Sequence, residues 1–393
     1  MRAGLLRRHT PAARVGAVIV VSVIAVLGLP HLAPVRTAWL SGALVAELLD
    51  LPIRPLSEFV PEPIRVTTTY GQPVDRLDVY VPAGADARSR LPGVILALGV
   101  HPQPIDHPDI TRVATAISRL GVVVGVPDST PLRNLEVSPA EPAHLADAVL
   151  ALRGWPTVDS GRVGLAGFSA GASIALIAAA DERISSQMRF VSAFGGYADA
   201  ELLLIDVATR TADVDGTERP WWPDPGIRRD VLGLMLATVS STDARNDLRA
   251  RLAPFVESDA APRGPLDEDL VRLHGDARAI YLLFTSPDRE RARSAIAGFS
   301  VELRARLASI SPLNFIEGVH APVFLLHGEP DTAIPVGHAA LLAERIGDRV
   351  ARFTRFGEFG HGDPAQQDLG PDEIGDVWEL YLYLRDIVAA TTE

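Results

Sequence analysis

Two residue types are missing from this chain of 393 residues, cysteine and lysine. Without cysteine the protein has no disulfide, no thiolate metal site and no cysteine nucleophile. Without lysine it has no lysine base or Schiff base, and arginine carries all of the positive side-chain charge. Acidic residues outnumber basic ones, and the formal net charge of −12 argues against a nucleic-acid partner.

One long apolar run stands near the start of the chain. The basic N-terminal segment 1–14 contains four arginines and no acidic residue, and Val15 to Leu29 is apolar except for Ser22. A basic start followed by an apolar run is typical of an export or anchoring signal. We expect residues 15–35 to be a transmembrane anchor, with the rest of a single-pass protein outside the cytoplasm. A cleaved signal peptide on a secreted protein and a buried N-terminal helix are the alternatives.

The remaining sequence predicts an α/β protein with one large insertion. Four prolines between 52 and 63 indicate a stiff linker over 36–63. From Ile64 short apolar strands alternate with helical stretches, which predicts a mostly parallel sheet flanked by helices. This core has a first part, 64–196, and a second part, 319–393. Between them, 197–318 is charged and helical in pattern, and we expect it to form a cap over the functional site.

A G-x-S-x-G pattern lies at the centre of the core, at Gly167 to Gly171. An apolar strand precedes it and a small-residue helix follows it, which is the context in which such a serine is held on a tight strand-to-helix turn. Glycine on each side lets strand and helix approach closely. We therefore expect Ser169 to be a nucleophile, whereas an ordinary glycine-rich turn is the alternative.

An acidic residue and a histidine follow in the order that such a serine requires. Asp331 comes after the strand at Val323 to Leu326, and His361 lies in a glycine-rich loop after the last strand. The order of nucleophile, acid and base matches this kind of sheet. Glu329 is a rival for the acid, and a turn-capping role is the alternative for Asp331.

These motifs resemble the α/β-hydrolases, in particular the dienelactone-hydrolase and prolyl-oligopeptidase-like branch of serine esterases. The resemblance covers about 64–390 and includes Ser311-Pro312 and the stretch from Ala321 to Pro335. It implies a triad of Ser169, His361 as base and Asp331 as its orienting acid. It also implies an oxyanion hole built from the backbone N–H groups of Ala170 and Val100.

Three further residues are candidates for substrate binding. His101 lies in a loop that we expect to border the substrate entrance, and Trp221 and Trp222 are the bulkiest apolar residues of the expected cap. His101, Asp106, His107 and Asp109 form a loop cluster, but prolines and the lack of helical ligand spacing argue against a metal there. No metal and no cofactor are expected.

The sequence thus favours an enzyme, a serine hydrolase of carboxylic esters or related small acyl compounds. An acyltransferase that uses the same residues is one alternative. A membrane-tethered, non-catalytic binding module is another, although the complete set of three residues argues against it.

Overall fold

The computed structural model of the protein describes residues 33–259, 262, 264–361 and 373–392. Eight strands form the central sheet, in the order β1-β2-β4-β3-β5-β6-β9-β10. The strands are β1 (Ile64–Tyr70), β2 (Asp75–Val81), β3 (Leu91–Ala97), β4 (Val123–Pro127), β5 (Val158–Phe168), β6 (Met188–Phe194), β9 (Val323–Gly328) and β10 (Val350–Phe356). A separate hairpin pairs β7 (Thr211–Val214) with β8 (Thr217–Pro220).

The sheet is mostly parallel, as the alternation of strands and helices predicted. Strand β2 runs antiparallel to both β1 and β4, and all pairings from β4 through β3, β5, β6 and β9 to β10 are parallel. The central strands are apolar runs rich in valine, leucine and isoleucine, because a parallel sheet is covered on both faces. The carboxyl ends of β3, β5, β6 and β9 therefore meet at one edge, where the candidate site lies.

Helices cover both faces of the sheet and create two apolar cores. The helices outside the insertion are α1 (Ala33–Leu48), α2 (Pro55–Phe59), α3 (Pro108–Ser118), α4 (Thr130–Arg133), α5 (Glu141–Arg153), α6 (Ala170–Ala178), α14 (Gly337–Ile346) and α15 (Ile374–Thr392), whereas α7 (Ala200–Thr209) is the first helix of the insertion. Helices α5, α6 and α14 contribute to one core, and α1, α3 and α15 contribute to the other. Successive strand residues alternate between the two cores, so Ile95 belongs to the first and Leu96 to the second.

The stretch 36–63, for which the sequence predicts a stiff linker after a short helix at Ala38 to Leu49, packs against the rest of the fold. Helix α1 covers its first part, and Leu44, Val45 and Ala46 of that helix are almost completely buried in the second core. The Glu47 carboxylate accepts hydrogen bonds from the backbone and the hydroxyl of Ser57, each at 2.6 Å. These two hydrogen bonds fasten the proline-rich part to α1.

The insertion 197–318 is largely helical, as predicted. It begins with α7 and the β7–β8 hairpin and continues with α8 (Pro225–Ala237), α9 (Thr242–Glu257), α10 (Asp267–Leu270), α11 (Gly275–Phe284), α12 (Arg289–Ala297) and α13 (Val301–Ser309). Short 3₁₀ turns at Pro312–Asn314 and Ile316–Gly318 lead back to β9. Buried Arg289 of α12 forms an ion pair with buried Asp206 of α7, which ties the inserted helices together.

The expected membrane anchor, 15–35, lies outside the described residues except for its last three, which begin α1. Among the helices of the described part of the chain, none has the length and apolar character needed to cross a bilayer.

Candidate active site

Ser169 sits on the turn between β5 and α6, in a backbone conformation that side chains rarely adopt. Its φ is 54° and its ψ is −133°, outside the regions open to most L-residues. The Ser169 N–H donates to the Phe194 carbonyl on the neighbouring strand at 2.8 Å, which fixes the turn against the sheet. Strain of this kind persists only where the surrounding structure enforces it, and it is concentrated at functional sites.

The two glycines of the motif are required by close packing. A Cβ atom at Gly167 would collide with the backbone of Gly171 and Ala172, and one at Gly171 would collide with the carbonyl oxygens of Ala97 and Leu98. The helix therefore crosses the ends of β5 and β3 at backbone contact distance. This packing holds Ser169 at the edge where the carboxyl ends of the parallel strands meet.

His361 reaches this edge from the loop that follows β10. The carboxylate of Asp376, in the first turn of α15, accepts three backbone N–H groups of that loop, from Gly357 at 2.9 Å, Glu358 at 2.7 Å and Phe359 at 2.8 Å. These bonds fix the loop two residues before the histidine. Asp376 is a positioning residue that sequence reasoning missed, since an acidic residue at a helix start is common.

Asp331 is buried in the loop after β9, where it is surrounded by hydrogen-bond donors. One carboxylate oxygen accepts the N–H groups of Ala333 at 2.7 Å and Ile334 at 2.9 Å. The other lies 2.8 Å from His361 Nδ1 and 3.2 Å from His327 Nε2. Burial opposes ionisation of this carboxyl, but the bonds from His327 and His361 outweigh it and hold the pKa of Asp331 well below its usual range.

The three side chains form one continuous chain of hydrogen bonds. His361 Nε2 lies 2.9 Å from Ser169 Oγ, and its Nδ1 lies 2.8 Å from Asp331 Oδ2. An ionised carboxylate can only accept, so Nδ1 carries the hydrogen and Nε2 is left to accept from the serine hydroxyl. This is the proton arrangement in which an imidazole can remove a proton from serine.

The rival acid lies elsewhere. Glu329 is exposed and forms an ion pair with Arg355 at 3.1 Å. His327, which is almost completely buried, approaches two acceptors with Nε2, the Asp331 carboxylate and the Ile334 carbonyl at 2.7 Å. Its Nε2 therefore carries a hydrogen and helps to orient Asp331. The sequence signal for this role was the position of His327 at the end of β9, four residues before the acid.

Two backbone N–H groups, those of Ala170 and Val100, were predicted to form an oxyanion hole. Ala170 is the first residue of α6, so its N–H is one of those that have no acceptor within the helix. The loop after β3 passes directly over the serine, and a Cβ at Gly99 would lie 2.7 Å from the Ser169 Cβ. Val100 is the next residue of that loop, and its role as the second donor stays a prediction.

His101 lies in the wall of a large cavity beside Ser169 and His361, at the position expected for a loop that borders the substrate. Burial lowers the pKa of His101, so its ring is neutral at neutral pH. Trp221 and Trp222 are placed differently from the expectation. The Trp221 indole N–H donates to the Asp331 carbonyl at 2.7 Å, and the Trp222 side chain is 57% exposed.

Neither tryptophan lines the cavity, and neither does any other described residue of the insertion 197–318. The sequence allows two roles for these tryptophans, lining the acyl pocket or packing the cap against the core, and the contact of Trp221 with the Asp331 loop is of the second kind. The insertion instead reaches the site through the back of the acid loop, where Trp221 supports Asp331. The physical reason is that the large cavity opens on the sheet face covered by α1, α3 and α15.

Asp106, His107 and Asp109, which follow β3, form ion pairs or hydrogen bonds with nearby residues. Asp106 forms ion pairs with Arg76 at 3.4 Å and with Arg65 at 3.7 Å. The His107 ring nitrogen accepts the Asp109 N–H at 3.4 Å and caps the start of α3. No group of three or more metal-ligating side chains gathers within the part of the chain that the structure describes.

No protein family and no curated protein matches the chain in sequence. Solved structures do match. An acylaminoacyl peptidase in complex with Z-Gly-Gly-Phe-chloromethyl ketone superposes with a TM-score of 0.51 at 12% identity, over 86% of this chain and 43% of that one. The uncomplexed acylaminoacyl peptidase of Pyrococcus horikoshii gives a TM-score of 0.50 at 13% identity, over 87% and 45% of the two chains.

This chain therefore spans less than half the length of the peptidases that it matches. At these identities the likeness concerns the fold. The protein has the α/β-hydrolase fold, a mostly parallel eight-stranded sheet flanked by helices, as the sequence motifs predicted.

Proposed function

We propose that the protein is a serine hydrolase that cleaves carboxylic esters or related acyl compounds. The observation that carries the proposal is the continuous chain of hydrogen bonds from Ser169 through His361 to Asp331. Ser169 also has the strained backbone of a nucleophile on a strand-to-helix turn. An α/β fold alone supports many functions, so the argument depends on this geometry.

In the proposed first step, Ser169 Oγ attacks the carbonyl carbon of the ester while His361 Nε2 takes the hydroxyl proton. The negative charge that develops on the carbonyl oxygen is stabilised by the N–H groups of Ala170 and Val100. Collapse of the tetrahedral intermediate breaks the bond to the alcohol oxygen. The imidazolium returns its proton to that oxygen, so the alcohol leaves neutral and the acyl group stays on the serine.

In the second step, water attacks the acyl-enzyme and gives its proton to His361 Nε2. The bond to Ser169 Oγ breaks, the serine regains its proton and the carboxylic acid is released. Throughout both steps, the ionised Asp331 carboxylate stabilises the imidazolium form of His361 and fixes the ring orientation. His327 and Trp221 act behind Asp331 as positioning residues.

An acyltransferase would use the same residues, with another hydroxyl compound in place of water. The two reactions are separated by adding an alcohol to the assay and analysing the products, since a transferase forms the new ester in preference to the acid. A non-catalytic binding module would have no need for the strained serine. A peptide bond is a further substrate for such a triad, and matched ester and amide substrates separate the two.

The proposal is tested with a fluorophosphonate probe followed by peptide mapping. We expect covalent labelling of Ser169, no labelling of Ser169→Ala, and hydrolysis of nitrophenyl esters by the unmodified protein. In the variant kcat should fall by about 10⁶, leaving about 10³–10⁴ over the reaction in water. An unlabelled Ser169, or ester turnover that survives in Ser169→Ala, contradicts the proposed function.

We also propose, on the pattern of arginines and apolar residues alone, that residues 15–35 hold the protein at the cell membrane with its enzyme part outside the cytoplasm. Secretion after cleavage of this segment is the alternative. Sequencing the N-terminus of the membrane fraction and of the medium decides between them.

A further inference from the structure

A cavity of about 520 Å³ opens beside Ser169 and His361 and extends into the second core. This volume lies within the range of about 300–1,000 Å³ that is typical of small-molecule sites. The proposed chemistry uses only the end at Ser169. The rest of the cavity is therefore available to a part of the substrate that does not react.

One face of the sheet forms the floor of the cavity. Alternate residues of each strand point to the same face, and the residues that line the floor follow this spacing on three neighbouring strands. Their side chains are apolar except for that of Ser192, and they continue from the carboxyl ends of the strands toward the amino ends. They include Val94 and Leu96 of β3, Ala166 and Phe168 of β5, and Phe190 and Phe194 of β6.

Helices form the roof. On α3 the lining residues Ile110, Val113 and Ile117 follow the spacing of one helix face. On α1 the lining residues are Leu44 and Leu48, which also lie on one face. The cavity is thus a layer of space between the sheet and an apolar helical roof that the described residues leave unfilled.

The longest wall is α15, which fixes the length and direction of the cavity. Both Leu380 and Thr392 line it, and the helix rises about 18 Å between them. The Leu380 end lies near Ser169, because Asp376 of the same helix holds the loop before His361. The Thr392 end lies at the far side of the sheet, where Arg162 near the start of β5 donates to the Thr391 carbonyl at 2.9 Å.

The polar atoms along this length already have partners. Ser192 Oγ and Tyr383 OH share a hydrogen bond of 2.8 Å, and Tyr383 OH also donates to the Phe324 carbonyl at 3.2 Å. The hydroxyls of Thr391 and Thr392 donate to carbonyls of the preceding helical turn. A ligand in the depth of the cavity therefore meets apolar surface, and the other polar side chains of the lining lie in or beside the loop after β3, at the Ser169 end.

We propose that the cavity binds the long, unbranched acyl chain of the substrate ester, with the ester carbonyl at Ser169 and the methyl end near Thr392. An extended carbon chain advances about 1.2 Å per bond, as backbone dimensions imply. A length of about 18 Å then accommodates about 15 bonds. This inference rests on the proposed ester hydrolysis and names its substrate class, the esters of long-chain fatty acids.

The acyl side of the ester, rather than the alcohol side, fits the depth of the cavity. The alcohol must leave after the first step, once His361 has returned a proton to its oxygen, whereas the acyl group stays on Ser169 until water attacks. Because the acyl group remains attached to Ser169, it is the part of the ester that a deep cavity can hold during turnover.

The first experiment measures kcat/KM for nitrophenyl esters from butyrate to hexadecanoate, all below the concentration at which they aggregate. Each methylene buried in an apolar site strengthens binding by up to about fourfold, so we expect kcat/KM to rise with chain length and then level off. Methyl dodecanoate should be a far better substrate than dodecyl acetate. A preference for short acyl chains, or for the long alcohol, would overturn the inference.

The second experiment blocks the far end of the cavity. In Val388→Trp on α15, and separately in Ile117→Trp on α3, the ratio of kcat/KM for hexadecanoate to that for butyrate should fall at least tenfold. The matched control is Ala389→Trp, because Ala389 neighbours Val388 on α15 and does not line the cavity. Two folded blocking variants with an unchanged ratio would argue against an acyl chain in this space.

The third experiment measures binding without turnover and separates the two proposals. Ser169→Ala should bind hexadecanoic acid saturably, as measured by displacement of a fluorescent fatty acid, and adding Val388→Trp should weaken binding at least tenfold. Binding by a protein that hydrolyses no ester would support the acyl site and refute the hydrolase. Hydrolysis of short esters without fatty-acid binding would refute the acyl site and leave the hydrolase standing.

Discussion

At the scale of single residues, Asp331 is a buried carboxylate that is surrounded by hydrogen-bond donors. Its two carboxylate oxygens lie within hydrogen-bond distance of two backbone N–H groups and two imidazole rings. The bonds satisfy a carboxylate that burial would otherwise penalise. They also fix its orientation, so that His361 can adopt only the ring position that serves Ser169.

Replacing Asp331 by asparagine should lower kcat by about 10⁴, because an amide nitrogen beside His361 favours the wrong tautomer. The control is Glu329→Gln, which removes an exposed carboxylate that pairs with Arg355. That variant should keep the activity of the wild type. Ester turnover at saturating substrate measures both, and loss of activity in Glu329→Gln alone would contradict the assignment of the acid.

Asp331 should also affect stability as a function of pH. Its pKa in the folded protein lies below the value of about 4 that an unfolded chain shows. The ionised carboxylate therefore stabilises the fold above about pH 4, and this contribution is lost as the pH falls through the lower, folded-state pKa. Urea unfolding at several pH values should give a shallower acid-side loss for Asp331→Asn than for the wild type.

The sequence named Ser169, Asp331 and His361 as candidates because each follows a strand end, and the structure brings these three side chains together at one edge of the sheet. It missed His327 and Asp376 because their roles depend on contacts with neighbouring loops, and the position of His327 at the end of β9 was the one local signal. The sequence also left open whether Trp221 and Trp222 line the acyl pocket or pack the cap against the core. Bulk and position in an insertion do not reveal which face of the sheet the cavity opens on.

At the scale of elements, α15 has two roles. Its first turn holds the loop before His361 through Asp376, and its inward face forms the longest wall of the cavity. The alternation of short apolar runs and helical stretches from Ile64 onward predicted the mostly parallel sheet, because such runs are a strong local signal. The cavity had no such signal, since Val113 and Ile117 have the spacing of any core-facing helix.

Asp376→Asn should reduce kcat while changing KM little, because the substitution loosens the base loop and leaves the cavity wall in place. Bonds from backbone N–H groups to a carboxylate are stronger than those to an amide, so a loss of kcat on the order of tenfold is expected. The control is Asp386→Asn on the same helix, where Asp386 pairs with Arg352 and Arg385 away from the loop. An equal loss in both variants would indicate a general effect on α15.

At the scale of the whole molecule, α1 lies between the N-terminal segment and the α/β fold. The position of the apolar run predicts that a soluble chain without the anchor can begin near Pro52. The structure argues for an earlier start, since removing α1 would expose the second core and open the cavity at Leu44 and Leu48. The sequence could not reveal this, because prolines 52 to 63 are typical of a linker whether or not the preceding helix is packed.

A chain that begins at Ala33 should therefore have the melting temperature and ester profile of the full chain. A chain that begins at Pro52 should melt at lower temperature and lose its preference for long acyl esters. Thermal unfolding and the ratio of hexadecanoate to butyrate turnover measure the two effects. Identical stability and identical ratios for both chains would show that α1 is dispensable.

The unfilled layer between sheet and helices has a consequence for the response of the protein to hydrostatic pressure. Unfolding under pressure is driven by the elimination of internal void volume, and the cavity of about 520 Å³ adds to this volume where its apolar lining keeps water out. Without a bound ligand, the protein should unfold at a lower pressure than it does with hexadecanoic acid bound. Hexadecanoic acid bound in the Ser169→Ala variant would fill the void, so its volume change of unfolding should become smaller and its midpoint pressure should rise.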